Sequence, residues 1–369
     1  MKKLKKILFI HPSFSGQFRY LMAHCAKSSE YQVDFITEAL PCGFSGVTMH
    51  QITDTQSQRS ESTAVVLRKL CSQGYRPDVI VCHSGWGHDL YVAEIFPSVP
   101  VLSYPEWFHP EGDPRNEILL KALEHCRAAL VPTQWQKSQF PAQFQEKIKI
   151  IHEGVDTEYF KPDDDAVFSY HKHQFKHGDE VITYAARGLE PIRGFPEFMR
   201  ALPEILRARP KARVIIAGDE RNCYGLAHPS GKSWRSVLEK ELKLPSERVI
   251  FCGKVGESYL LKIFQISSLH IYLSRPFILS WSVLEAMSTG CLVLGSATEP
   301  VLEILHNRQN GITCELNSTS IAQNVIAILE NPEKFQLYRK AARQFIEQNF
   351  NAKTCVQQQL KLLQSITDV

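Results

Sequence analysis

Two series of short apolar runs, spaced by amphipathic stretches, constrain this chain more than anything else in it. The first series is "ILFIH", "VDFIT", "DVIVCH", "PVLSY", "AALVP" and "IKIIH"; the second is "VITYAA", "RVIIAGDE", "RVIFCG", "LHIYLS", "CLVLGS" and "GITCEL". Short runs rich in Val, Ile and Leu, alternating with helical patterns, predict parallel strands buried on both faces. Two such series in 369 residues predict an α/β protein of two Rossmann-like, doubly wound domains. Between the series, "GVDTEYFKPDDDAVFSYHKHQFKHGDE" is acidic, then His-rich, lacks apolar periodicity, and reads as a linker. From Pro332 the pattern turns helical, with Leu337, Ala341, Phe345 and Ile346 expected along one face. The expected organisation is an N-terminal domain over 1–160, a linker over 161–178, a C-terminal domain over 179–345 and a closing helix over 346–369 packing back on the N-terminal domain.

Composition narrows the class. With 44% hydrophobic and 22% charged residues the chain is expected to fold, and a net charge of +3 is too small to argue for nucleic acid as a partner. Ten cysteines are scattered singly without a C-x-x-C pair, as expected of reduced thiols in a cytoplasmic protein. "MKKLKKILFIHPSF" has the basic start of a signal peptide, but its apolar run stops at His11 and Pro12, so it reads as a first strand with a basic lead-in. No apolar run approaches the roughly 20 residues that span a bilayer. "MKKLKK" and "RSESTAVVLRKL" are the segments that would meet anionic lipid in a peripheral contact. Neither combines a large apolar face with a dense basic one, so an ordinary surface is favoured.

No G-x-G-x-x-G follows either first strand and no Walker lysine motif is present, which disfavours dinucleotide oxidoreductases and P-loop enzymes. In "HPSFSGQFRYLM", Gly16 opens a helix, either to offer backbone N–H groups to an anion or simply to make the turn. In "ITYAARGLEPIRGFPEF", Arg187 and Arg193 lie between a strand's carboxyl end and a helix starting near Pro196. They suit a bidentate grip on a diphosphate, solvated loop arginines being the alternative. In "RPFILSWSVLEAMSTGCLVLGS", Ser282 and Glu285 fit an S-x-x-E capping box in the first turn of a helix ending at Gly290. The other reading of Glu285 is a carboxylate that accepts ribose hydroxyls. His83 ends "DVIVCH", a position where an isolated histidine is more often structural. The acidic run at 163–165 falls in the linker and reads as a solvated turn rather than a metal site.

Taken together, "HPSFSGQFRYL", "ARGLEPIRGFPEFMRALP", "PFILSWSVLEAMSTGCLVLGS" and "IIHEGVDTEYFKP" resemble the retaining GT-B glycosyltransferases of family 4, the first of them one bacterial subgroup. The resemblance implies two Rossmann-like domains facing across a cleft, with C-terminal helices. It implies a hexosyltransferase that moves a sugar, with retention, from a nucleotide-diphosphate donor to a hydroxyl acceptor, with no metal and no resident cofactor. A UDP-sugar is the favoured donor, and a GDP-sugar the other.

By position, Glu285 matches the second glutamate of the family's E-x7-E motif, at the ribose, and Arg187 and Arg193 match the basic pair on the diphosphate. Gly16 matches the glycine loop near donor phosphate and sugar, Val255 the backbone contact to the base, and His83 the histidine at the donor sugar. The first glutamate of the motif is missing: counting back from Glu285 lands on Phe277, and aligning on "PF" puts Arg275 there. Backbone groups from Phe277, Ile278, Leu279 and Ser280 are expected to take over some of its contacts. His88, Glu106 and His109, on loops after strands, are acceptor-side candidates by position alone. A nucleotide-sugar epimerase of the same fold and a non-catalytic sugar-nucleotide-binding protein are the alternatives.

Overall fold

Seven parallel strands build the first sheet: β1 (Lys6–Ile10), β2 (Gln32–Thr37), β3 (Val47–Gln51), β4 (Val79–His83), β5 (Val101–Tyr104), β6 (Ala128–Val131) and β7 (Ile148–Ile150). The structure is a computed structural model and describes residues 5–40, 43–53 and 58–368. The start of "MKKLKK", residues 1–4, lies outside the described residues. The chain forms two compact units, Met1–Gly154 with Ala352–Val369, and Val155–Asn351.

The sheet order is β3-β2-β1-β4-β5-β6-β7, so the order reverses beside β1. Alternation along β1 sends Leu8 and Ile10 into one apolar layer and Ile7 and Phe9 into the other, which is why the strand reads as an unbroken apolar run. The final helix, Ala352–Thr367, places Val356, Leu363 and Ile366 in the layer of Ile7 and Phe9. The strand β3 was not legible: "VTMHQ" is a half-exposed edge with no apolar run.

The second unit opens with an antiparallel hairpin, β8 (Val167–Tyr170) and β9 (His173–Lys176). Six parallel strands follow: β10 (Val181–Gly188), β11 (Arg213–Asp219), β12 (Val249–Gly253), β13 (Leu269–Tyr272), β14 (Val293–Ser296) and β15 (Ile312–Cys314). Their order, β12-β11-β10-β13-β14-β15, reverses beside β10. Against β10 packs the helix Phe195–Ala208, whose Phe195, Phe198, Met199, Leu202, Ile205 and Leu206 are all buried at helical spacing.

Three expectations are corrected. The linker over 161–178 is part of the second unit: Phe168 and Phe175 of the hairpin lie in the same buried cluster as Ile215 and Val283. The unit boundaries fall at Gly154/Val155 and Asn351/Ala352, because Val155 N–H donates to Phe350 O at 2.7 Å and Arg343 reaches Phe160 O at 3.2 Å within the second unit. On the helix Gln336–Asn349 the buried positions are Ala342 and Ile346, while Leu337 is 75% exposed. Among the described residues no helix is long and apolar enough to cross a membrane. The nine described cysteines are all free thiols.

Candidate functional site

In an open parallel sheet, ligands bind at the carboxyl ends of strands where the strand order reverses. Each unit gathers polar side chains at that point, and each is described by itself.

In the second unit, β10 ends on Arg187 and Gly188, and a short turn over Pro191–Arg193 leads into the helix Phe195–Ala208. Arg193 is only 5% exposed. Its Nη1 donates to Ser274 Oγ, just past β13, at 3.0 Å and to Oη of Tyr272, the last residue of β13, at 3.4 Å. Its carbonyl accepts from Tyr184 Oη at 2.7 Å, which fixes the backbone. Among the described residues no carboxylate forms an ion pair with Arg193. A buried guanidinium held only by neutral hydroxyls is expensive unless an anion joins it. Arg187 is exposed, and its Nη1 donates to Tyr224 Oη at 3.1 Å. The Tyr224 ring lies 5.9 Å from the Arg187 guanidinium and 5.8 Å from that of Arg193, and the neighbouring Phe277 ring lies 5.2 Å from Arg193. Both arginines therefore lie beside the Tyr224 ring.

Glu285 is 4% exposed and sits in the second turn of the helix Trp281–Ser288, not the first. The expected capping box is absent. The helix starts after Ser280, whose side chain makes no cap and bonds instead to Ser282 Oγ at 2.7 Å. Of the loop before it, Phe277, Ile278, Leu279 and Ser280 are half-buried, and the Ser280 N–H is already engaged by Tyr272 Oη at 2.9 Å. Arg275, one of two residues aligned with the missing glutamate, is exposed and pairs with Glu197 at 2.7 Å. Val255 packs on the core between the end of β12 and the helix Glu257–Gln265.

In the first unit, His11 follows β1 and His83 ends β4, with ring centroids 4.7 Å apart. Ser13 N–H donates to His11 Nδ1 at 2.9 Å, so the neutral ring carries its proton on Nε2 and donates to Gln17 Oε1 at 2.6 Å. Gln17 Nε2 in turn donates to Glu106 Oε1 at 2.6 Å, and His83 Nε2 stands 3.4 Å from Glu106 Oε2. His83 Nδ1 is buried and without a hydrogen-bond partner. Gly16 is required here, at φ +53°, because a Cβ on it would lie 2.2 Å from the His11 ring. Burial pushes His11 down to about 4, with His83 acting in the same direction. Burial alone would raise the Glu106 carboxyl; the hydrogen bond and charge of His83, then Gln17, hold it below its ordinary value.

The acceptor-side candidates do not form one group. Glu106 joins His83, as described. His88 is buried and pairs with Glu38 at 2.9 Å, and Arg59 reaches the same Glu38 oxygen at 2.8 Å. His109 is held through its backbone by Asn116, whose Oδ1 accepts its N–H at 2.9 Å. Burial, then Arg115, lowers the His109 pKa. Sequence reasoning missed His11, Gln17, Glu190 and Tyr224. The first two lie in the quoted "HPSFSGQF" stretch, where alternation marks the strand end but not the partners.

The model of the Glycosyl transferase family 4 group matches residues 45–114 and 111–160, and that of Glycosyl transferases group 1 matches residues 168–345. An uncharacterized glycosyltransferase of Methanocaldococcus jannaschii is 30% identical over 122 residues, 32% of this chain and 31% of that one. The N-acetyl-alpha-D-glucosaminyl L-malate synthase of Bacillus anthracis is 26% identical over 149 residues, 40% of this chain and 36% of its own. The chain thus spans about a third of the length of these curated relatives. Among solved structures, Anabaena HepE in complex with UDP and glucose superposes with a TM-score of 0.76 at 17% identity, covering 98% of this chain and 100% of that one. Sucrose-phosphate synthase from Thermosynechococcus elongatus gives a TM-score of 0.78 at 15% identity, covering 98% and 99%. At these identities the likeness is one of fold, and the fold is GT-B.

Proposed function

We propose that this chain, whose residues 168–345 match the model of the glycosyl transferases of group 1, moves a hexose, with retention, from a nucleotide-diphosphate sugar to a hydroxyl acceptor. The observation that carries the donor assignment is Arg193: a buried guanidinium with only hydroxyl hydrogen-bond partners among the described residues, beside the same Tyr224 ring as Arg187 at the strand-order reversal. A diphosphate supplies the missing negative charge, and planar guanidinium groups suit it bidentately. Glu285 is assigned to the ribose hydroxyls, and Val255 to the base. UDP is the first nucleotide to try, since the Anabaena protein was solved with UDP and with UDP-glucose.

In the proposed reaction the anomeric C–O bond breaks and the nucleoside diphosphate leaves with the bonding electrons. The acceptor oxygen forms the new bond on the same face, and its proton passes to the departing phosphate. Arg187 and Arg193 stabilise the charge developing on that phosphate, so no metal is required. In the first unit, Glu106 stands 3.4 Å from His83 Nε2, and the buried His83 Nδ1, without a partner, is the atom assigned to a sugar hydroxyl.

Calorimetry with UDP and GDP, followed by a panel of nucleotide sugars assayed for hydrolysis and transfer, tests this reading. Sugar release with EDTA present is expected. Loss of activity on chelation, restored by Mg²⁺ or Mn²⁺, would refute the metal-free route. Epimerised donor without release would identify an epimerase, and binding without turnover a non-catalytic protein.

A further inference from the structure

The loop after β11 is pinned to the end of β10 by one carboxylate. Glu190 is 0% exposed, and its oxygens accept the backbone N–H groups of Cys223 at 3.1 Å, Tyr224 at 3.2 Å and Gly225 at 2.6 Å. Bonds from three peptide groups replace the hydration that a buried carboxylate loses. The approach needs bare backbone: a Cβ on Gly188 would lie 2.8 Å from both Glu190 Oε1 and Arg221 O. The Glu190 carbonyl also accepts from Arg193 N–H at 3.1 Å. One residue therefore locks the segment that carries Arg193 to the segment that carries Tyr224.

The lock sets Tyr224 against both guanidinium groups, with Phe277 5.1 Å from its ring. Because Oη accepts from Arg187 Nη1, the phenol keeps its own proton to give, and no acceptor for that proton is found among the described residues. An O–H donor and two guanidinium groups brought to one place complement an oxyanion.

We infer that Tyr224 is a third hydrogen-bond donor to the sugar donor's diphosphate, and that Glu190 is the positioning residue that aims it. This rests on the nucleotide-sugar reading of the same site. No proton is transferred: the O–H hydrogen-bonds to a phosphate oxygen, and a donor fixed in advance helps most where negative charge grows as the diphosphate leaves. If Tyr224 only stacked on the arginines, the ring alone would suffice, and Tyr224→Phe separates the two cases.

The test is calorimetry with UDP, inorganic pyrophosphate and uridine on the full chain and on Tyr224→Phe, Glu190→Gln and the double variant, each checked for an intact melting transition. Tyr224→Phe is expected to weaken UDP and pyrophosphate roughly 10- to 100-fold, the usual worth of a hydrogen bond to a charged group, and to leave uridine unchanged. The kcat of UDP-sugar hydrolysis should fall by a similar factor. Glu190→Gln should weaken pyrophosphate in the same way, and the double variant should be no weaker than Tyr224→Phe alone. Wild-type pyrophosphate affinity and kcat in Tyr224→Phe would overturn the donor role and leave the arginine assignment standing. A double variant weakened by the product of the two single effects would overturn the positioning role of Glu190. Failure of the unmodified chain to bind UDP, GDP or pyrophosphate would instead overturn the nucleotide-sugar reading itself.

Discussion

At the scale of single residues, the two arginines are held so differently that they should fail differently. Arg187 is exposed, and losing it should cost roughly 2 to 4 kcal/mol of transition-state stabilisation with little change in melting temperature. Arg193 is buried, and both of its hydroxyl partners have other bonds: Ser274 Oγ donates to Arg275 O at 2.7 Å, and Tyr272 Oη accepts from Ser280 N–H. Arg193→Met therefore strands neither hydroxyl and removes a buried charge that no carboxylate among the described residues balances. We expect melting to be unchanged or higher, by up to about 1 kcal/mol, while activity falls by roughly 2 to 4 kcal/mol. A lowered melting temperature would show that the guanidinium is structural. Glu285→Gln is the matching test at the ribose. With no capping box to preserve, the change should weaken nucleoside diphosphate binding by about 1 to 3 kcal/mol in calorimetry. Unchanged affinity would remove Glu285 from the donor site.

At the scale of elements, the hairpin β8–β9 carries the clearest test. Phe175 is fully buried, with the Arg213 guanidinium 4.2 Å over its ring, so Phe175→Ala should cost about 3 to 5 kcal/mol in denaturant unfolding. A side chain in a solvated linker would cost nearly nothing. The hairpin was illegible for a physical reason. Its turn is made by His171 and Lys172, with His171 at φ +49°, and lacks the Asn-Gly or Asp-Gly pair that marks a two-residue loop. Its inward face shows Phe168 and Phe175, with Tyr170 half-buried beside them, among residues that are mostly charged or polar. The twelve runs read as strands from alternation all lie in the two parallel sheets, because strands buried on both faces leave an unbroken apolar signature. Arg187 and Arg193 were found because a strand end and a helix start bracket them. The start of the Glu285 helix was misplaced because Ser280 and Ser282 both look like caps and, in the fold, bond to each other. Tyr224 and Glu190 were missed because they meet across 34 residues of chain, and no local pattern records that contact.

At the scale of the whole molecule, each unit carries a buried histidine whose pKa burial lowers, and both rings act on how the fold responds to acid. Burial pushes His11 down to about 4, and burial alone pushes His270 down to about 3. His270 gives Nδ1 to a contact with Thr183 Oγ1 at 2.9 Å, while its Nε2 is buried with no partner. In the unfolded chain both rings titrate near 6.5. Between the folded and unfolded values the unfolded state holds more protons, so stability rises with pH there and is lost as pH falls from about 6.5 toward about 4. At pH 5 each ring is still neutral when folded and charged when unfolded, a difference of about 2 kcal/mol relative to neutral pH. The lowered His88 acts in the same sense. Carboxylates held below their ordinary range, such as Glu106, begin to lose stability only at more acid pH. Melting followed from pH 7.5 to pH 5 should therefore show a steady decline, and His270→Gln should flatten it. A melting temperature level across that range would mean that the two rings are charged in the folded protein, and the neutral tautomer assigned to His11 beside Gln17 would fall with it.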